Sequence, residues 1–101
     1  MSSNVFVKSG RVSDLLTTAT TATGDWKFKD APKTAIQVVA TASATVVFEV
    51  SNDGTNAVAT TLGTVTLAAA GSDGFTTDSP WKYIRARATA NAGAVSIYMS
   101  V

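Results

Sequence analysis

Seven carboxylates, Asp14, Asp25, Asp30, Glu49, Asp53, Asp73 and Asp78, are the side chains of this 101-residue chain best suited to acid–base or metal chemistry, because it contains no His and no Cys. Without His it lacks the commonest general base and the commonest transition-metal ligand. Without Cys it has no disulfide, thiolate metal site or sulfur nucleophile. A carboxylate pair doing hydrolytic chemistry needs two acids about 5 to 9 Å apart, and an oxygen-ligated cation needs several acidic ligands in one loop. Most of these acids instead stand beside Gly, Ser, Lys or Pro, where turns place them. Asn52, Asp53 and Asn56 offer one carboxylate to a cation, and their expected role is a turn. Asp53-Gly54 tolerates the positive φ that a tight connection needs, and Asn52 and Asn56 can close the loop on local backbone. No phosphate-binding Gly loop, nucleophile elbow or spacing specific for a Lys to Asn or Asp crosslink is visible. The expectation is a protein that is not an enzyme and uses no cofactor or metal.

Contact chemistry is richer. In "WKYIRARAT", period-two alternation puts Ile84, Ala86 and Ala88 on one face of a strand and Trp81, Tyr83, Arg85 and Arg87 on the other. Aromatic rings and guanidiniums are the groups enriched at interface hot spots. Two readings stand. Either Trp81 closes the end of the fold while Tyr83 and Arg85 stack on cross-strand neighbours, or the row is a subunit contact whose arginines meet a partner's carboxylates. Tyr98, on the polar side of "AVSIYMSV", joins the candidates. In "DWKFKD", Trp26 and Phe28 share a face and are expected in the core, with Lys27 and Lys29 opposite.

The elements that must position these groups are strands. Ala and Thr make up about a third of the chain, and Val and Ser are common, a strand-and-turn composition. Alternation is clearest in "TAIQVVAT" (Ile36, Val38, Ala40), "ATVVFEVS" (Val46, Phe48, Val50, with Val47 and Glu49 opposite) and "AVSIYMSV" (Val95, Ile97, Met99, Val101). Shorter candidates are "NVFVK", "WKFKD", "TLGTVTL", "DGFTTD" and "WKYIRARAT", while "SDLLTTATTAT" reads as strand or loop. Seven or eight short strands bounded by turn residues predict an all-β, single-domain antiparallel sandwich, jelly-roll-like, spanning residues 1–101. Residues 1–12 are a candidate N-terminal arm able to add a strand to a neighbour, and the apolar alternation running to Val101 predicts a last strand integral to its sheet. A net charge of +1 gives no footprint for nucleic acid. No run of about 18 apolar residues predicts a membrane span, and the N-terminus "MSSNVFVKSG" lacks the features of a secretory signal. The expectation is synthesis in a host cytoplasm without secretion by a signal peptide.

"VFEVSNDGTNA…LGTVTL", followed by "PWKYIRARATANAGAVSIYMSV", resembles a pattern of small structural proteins of tailed bacteriophages: a strand ending in Ser-Asn-Asp-Gly, a Leu-Gly-Thr strand, a Tyr-Ile-Arg-Ala strand and an alternating final strand. The likeness runs from about Thr34 onward. It implies a virion component, foremost a capsid decoration or cement protein, a homo-oligomer (dimer or trimer) that bridges subunits of the major capsid protein or binds other virion proteins. A tail or head-tail connector component is the alternative of the same class. Discoidin-like carbohydrate-binding domains carry similar elements, which makes a sugar-binding module of a receptor-binding apparatus a further alternative, although Ala57 and Val58 stand where those domains usually have a Trp.

Overall fold

The computed structural model describes residues 5–7, 12–29 and 32–100, the first of these as backbone. Among the described residues there are ten strands: β1 (Val5–Val7), β2 (Val12–Thr18), β3 (Ala22–Thr23), β4 (Lys27–Lys29), β5 (Thr34–Ala40), β6 (Ala44–Ser51), β7 (Gly63–Leu67), β8 (Gly71–Thr77), β9 (Tyr83–Asn91) and β10 (Val95–Ser100). They form two sheets. One has six strands in the order β1-β4-β9-β6-β7, with β3 also on β9, and the other has four in the order β2-β10-β5-β8. Among the described residues every pairing is antiparallel except that of β1 with β4. From β5 onward the chain passes between sheets after β5, β7, β8 and β9, the interleaving of a two-sheet sandwich. The count exceeds the seven or eight expected because β2, whose Thr-rich sequence reads equally as loop, is a full strand, and because two-residue β3 carries no periodic signal.

The alternation read from the sequence sets the core. Ile36 and Val38 of β5, Val46, Phe48 and Val50 of β6, Ile84, Ala86 and Ala88 of β9, and Val95, Ile97 and Met99 of β10 are buried together between the sheets. Each large apolar side chain so buried contributes about 1.5–3 kcal/mol. A bulge on β2 opposite Ile97 and Tyr98 leaves Leu15 out of the ladder and turns it into the same core. Phe75, Trp81, Leu62 and Leu67 pack around it half-buried. Phe75 meets Phe48 edge to face at 5.4 Å between centroids, a favoured aromatic geometry.

β3 and β4 run along the same edge of β9. Thr23 pairs with Arg87, the Gly24 N–H donates to the Ala86 carbonyl at 2.8 Å, and pairing resumes at Lys27 opposite Ile84. Two residues, Asp25 and Trp26, therefore stand opposite the single residue Arg85. That extra residue redirects Trp26. Trp26 is buried, as expected, at 4% exposure, yet it stands outside the contiguous core and packs beneath Arg85 on the sheet's outer face. Phe28, expected in the core, is only half-buried and meets Tyr83 edge to face at 5.4 Å.

Lys29 takes the inward course and is 3% exposed. Its Nζ donates to the carbonyls of Pro32 and Ser79, and burial lowers its pKa. Of the candidate arm, the backbone of β1 pairs with β4 of its own chain; residues 1–4 and 8–11 lie outside the described residues, as does Val101.

Candidate functional site

β9 carries three of the five candidate contact residues. Its inward residues are fully buried, so Tyr83, Arg85 and Arg87 project from the outer face of the six-stranded sheet, as the alternation predicts. The neighbouring β6 brings Glu49 opposite Arg85 and Val47 opposite Arg87. Glu49, the one glutamate of the chain, thereby meets two guanidiniums. Arg85 Nε donates to its Oε1 at 2.7 Å, within the range of a charge-assisted bond, whereas Arg87 Nε stays 3.5 Å from its Oε2.

The two arginines differ in every other respect as well. The Arg85 guanidinium lies 4.4 Å above the Trp26 ring centroid, a cation–π distance, and its side chain is 25% exposed. Arg85 is thus held from beneath by an aromatic face and from the side by a carboxylate. The Arg87 side chain is 43% exposed, and its Nε, itself shielded from solvent, makes no hydrogen bond. Arg87 borders an open depression of about 330 Å³ whose other walls are Thr21, Ala22, Thr23, Ala88 and Thr89. Three threonines and a guanidinium make this a polar concavity.

The other candidates separate from this row. Trp81 precedes β9 and packs half-buried against the core. Tyr98 belongs to β10, and since Ile97 and Met99 point inward, it projects from the outer face of the opposite sheet. There it borders a small depression of about 140 Å³ with Val12, Ala35, Gln37 and Ser100. The five contact candidates therefore occupy three places, with Tyr83, Arg85 and Arg87 alone forming a contiguous row.

The turn residues close a hairpin loop between β6 and β7 longer than a two-residue connection. Gly54 has φ 69°, the left-handed region that glycine enters without Cβ cost. The Asp53 carboxylate gathers the loop. Oδ1 accepts from the N–H groups of Asn56 at 2.8 Å and Thr55 at 2.9 Å and from the Ser51 hydroxyl at 2.7 Å, while Oδ2 accepts from the Asn56 side-chain amide at 3.0 Å. These donors, led by the Asn56 N–H, hold Asp53 far below the ordinary carboxylate range. Its oxygens are thus committed to loop closure. Asn52 Oδ1 accepts from the Lys82 N–H at 3.2 Å, which fastens the loop to the approach of β9. Lys29 holds the same approach from the other side, through its Nζ to Ser79 and its N–H to the Lys82 carbonyl at 2.7 Å.

Glu49 and Trp26, which set the posture of the arginine row, are the residues that sequence reasoning did not connect to it. Outward alternation on β6 and β9 places Glu49, Arg85 and Arg87 on solvent-facing sides. Their meeting depends on pairing between strands whose partners are 36 residues apart, which alternation within either strand does not encode. The position of Trp26 depends on a bulge. Among the described residues, no three of His, Cys, Asp and Glu gather into a group able to hold a metal ion.

Fold and surface together define a small, two-sheet all-β domain whose six-stranded sheet carries a row of aromatic and charged side chains on its outer face. No protein-family model matches the chain, and no curated protein sequence does either. Its fold is shared with solved structures. The SPBc2 prophage-derived protein YomS superposes with a TM-score of 0.69 at 7% identity, covering 88% of each chain. The PBSX exported protein XepA superposes with a TM-score of 0.66 at 18% identity; 94% of this chain is covered, and the chain spans 38% of XepA. At such identities the likeness is one of fold. The match with XepA corrects the expectation of synthesis in a host cytoplasm without secretion by a signal peptide: the same fold serves in an exported protein, so an N-terminus unlike a signal peptide is no ground for confining this chain.

Proposed function

We propose that the chain is a non-enzymatic structural component encoded by a phage or prophage, and that it acts by binding other proteins of the particle through the outer face of its six-stranded sheet. The observation that carries this reading is the fold likeness to prophage-derived YomS over 88% of both chains, to which the sequence resemblance from Thr34 onward adds support. The finer form of the reading is decoration: copies bind the assembled shell and bridge neighbouring subunits of the major capsid protein. Many copies of a modest interface act together there, so avidity holds the lattice without covalent chemistry.

The test mixes purified protein with particles that lack it and measures co-sedimentation, stoichiometry and the temperature at which the particle releases its contents. Saturable binding with a raised release temperature is the expected result. Protein that neither binds nor protects overturns decoration. Accumulation in the culture medium apart from particles would favour a role of the exported kind, as XepA's description has it.

A further inference from the structure

The difference between Arg85 and Arg87 points to a specific ligand. Glu49 Oε1 is taken by Arg85 at 2.7 Å. Arg87, 3.5 Å from the remaining oxygen, donates no hydrogen bond among the described residues. A guanidinium carries five N–H donors in a planar fork suited to a carboxylate, and this one is half-exposed beside an open depression walled by the threonines Thr21, Thr23 and Thr89. The local charge argues for an anion of low valence. Two arginines share one glutamate, which leaves a single positive charge on the row, and Asp25 in the neighbouring bulge pairs with neither arginine. The whole chain carries only +1, without the dense basic field that a nucleic-acid backbone requires.

We propose that the depression between β3 and β9 receives an acidic side chain of a protein partner, its carboxylate bound by the Arg87 guanidinium and bordered by the hydroxyls of Thr21 and Thr23, while Arg85 keeps the sheet face in shape. This deepens the reading of the six-stranded face as the binding surface and rests on it. Arg87 is the contact and Arg85 a positioning residue.

The experiment uses the whole chain labelled with ¹⁵N and follows the arginine Nε–H resonances during titration with an N-acetyl tetraglutamate amide at low salt. Inorganic phosphate and a short oligothymidylate serve as competing anions. The Arg87 Nε–H and the amides of Thr21 to Thr23 shift saturably, the Arg85 Nε–H stays in place, and Arg87→Gln weakens binding about tenfold or more. That variant melts within about 2 °C of the parent, because the replaced Nε makes no hydrogen bond among the described residues and its ion pair with Glu49 is long, at 3.5 Å. Equal shifts at both arginines, undiminished binding by Arg87→Gln, or tighter binding of either competing anion overturns the proposal. Peptide binding at Arg87 without particle binding would sink the particle reading and leave this site standing; particle binding without peptide binding would do the reverse.

Discussion

The outer faces of the two sheets are built on different terms. On the six-stranded sheet, Trp26 lies beneath Arg85, Arg85 pairs with Glu49, and Phe28 meets Tyr83; each side chain is held by another. On the four-stranded sheet, Val12 is 68% exposed and Val39 38% exposed. The side-chain hydrogen bond across that face runs between Gln37 and Ser72 at 2.9 Å. A face with its own layer of aromatic and ionic contacts is pre-organised, and binding to it costs little side-chain ordering. A plain face contributes area without posture. The difference singles out Arg87, the loosely held member of an otherwise locked row, as the residue on which the proposed recognition turns.

Substitutions can break this comparison. The largest expected effect is Trp26→Ala, which removes a buried aromatic and the platform under Arg85; denaturant unfolding should show a loss of about 3–5 kcal/mol. Tyr98→Ala on the opposite face should cost less than about 1 kcal/mol in the same assay. Equal losses would mean that the two faces are not built differently. Next comes Gly74→Ala. A Cβ there would run into the Ile36 carbonyl oxygen of the neighbouring strand, so a loss of about 1–3 kcal/mol is expected by the same measurement, showing that the weak point of the four-stranded sheet is backbone fit rather than outward side chains.

Double-mutant cycles sharpen the contrast within the arginine row. Replacing Glu49 and Arg85 by Gln, singly and together, should give a coupling energy of about 1–2 kcal/mol. The cycle through Arg87 should give less than about 0.5 kcal/mol, and the reverse order would remove the ground for treating Arg87 as uncommitted.

The smallest effect concerns the loop that fastens β9. The folded-state pKa of Asp53 is depressed, so its contribution is fully present above the ordinary Asp value of 3.8 and is lost as pH falls below it. Unfolding measured from pH 7 downward should therefore show wild type more stable than Asp53→Asn near neutrality, with the gap closing below pH 3.8. A gap that widens on acidification would contradict the role given to Asp53.

What was legible in the sequence follows the reach of each signal. Period-two alternation in β5, β6, β9 and β10 states which side chains face inward, and all of those residues within the described range are buried as read. Asp53-Gly54 marks its turn because only a few residue types accept that backbone. What alternation cannot state is which strands are neighbours. Glu49 and Arg85 each look like ordinary solvated charges until β6 is laid beside β9. Bulges defeat it too: one extra residue at Asp25-Trp26 moves a tryptophan from the expected core to the outer face, and another on β2 turns Leu15 inward. Tyr98 and the arginine row belong to different sheets for the same reason, since sheet membership is a property of topology.

The measurement that tests the central claim most directly is co-sedimentation with particles lacking the protein, run in parallel for wild type, Arg87→Gln and Tyr98→Ala after each variant is shown to melt like the parent. Arg87→Gln should lose binding while Tyr98→Ala keeps it. Retained binding by Arg87→Gln with loss by Tyr98→Ala would move the functional surface to the other sheet and contradict that claim.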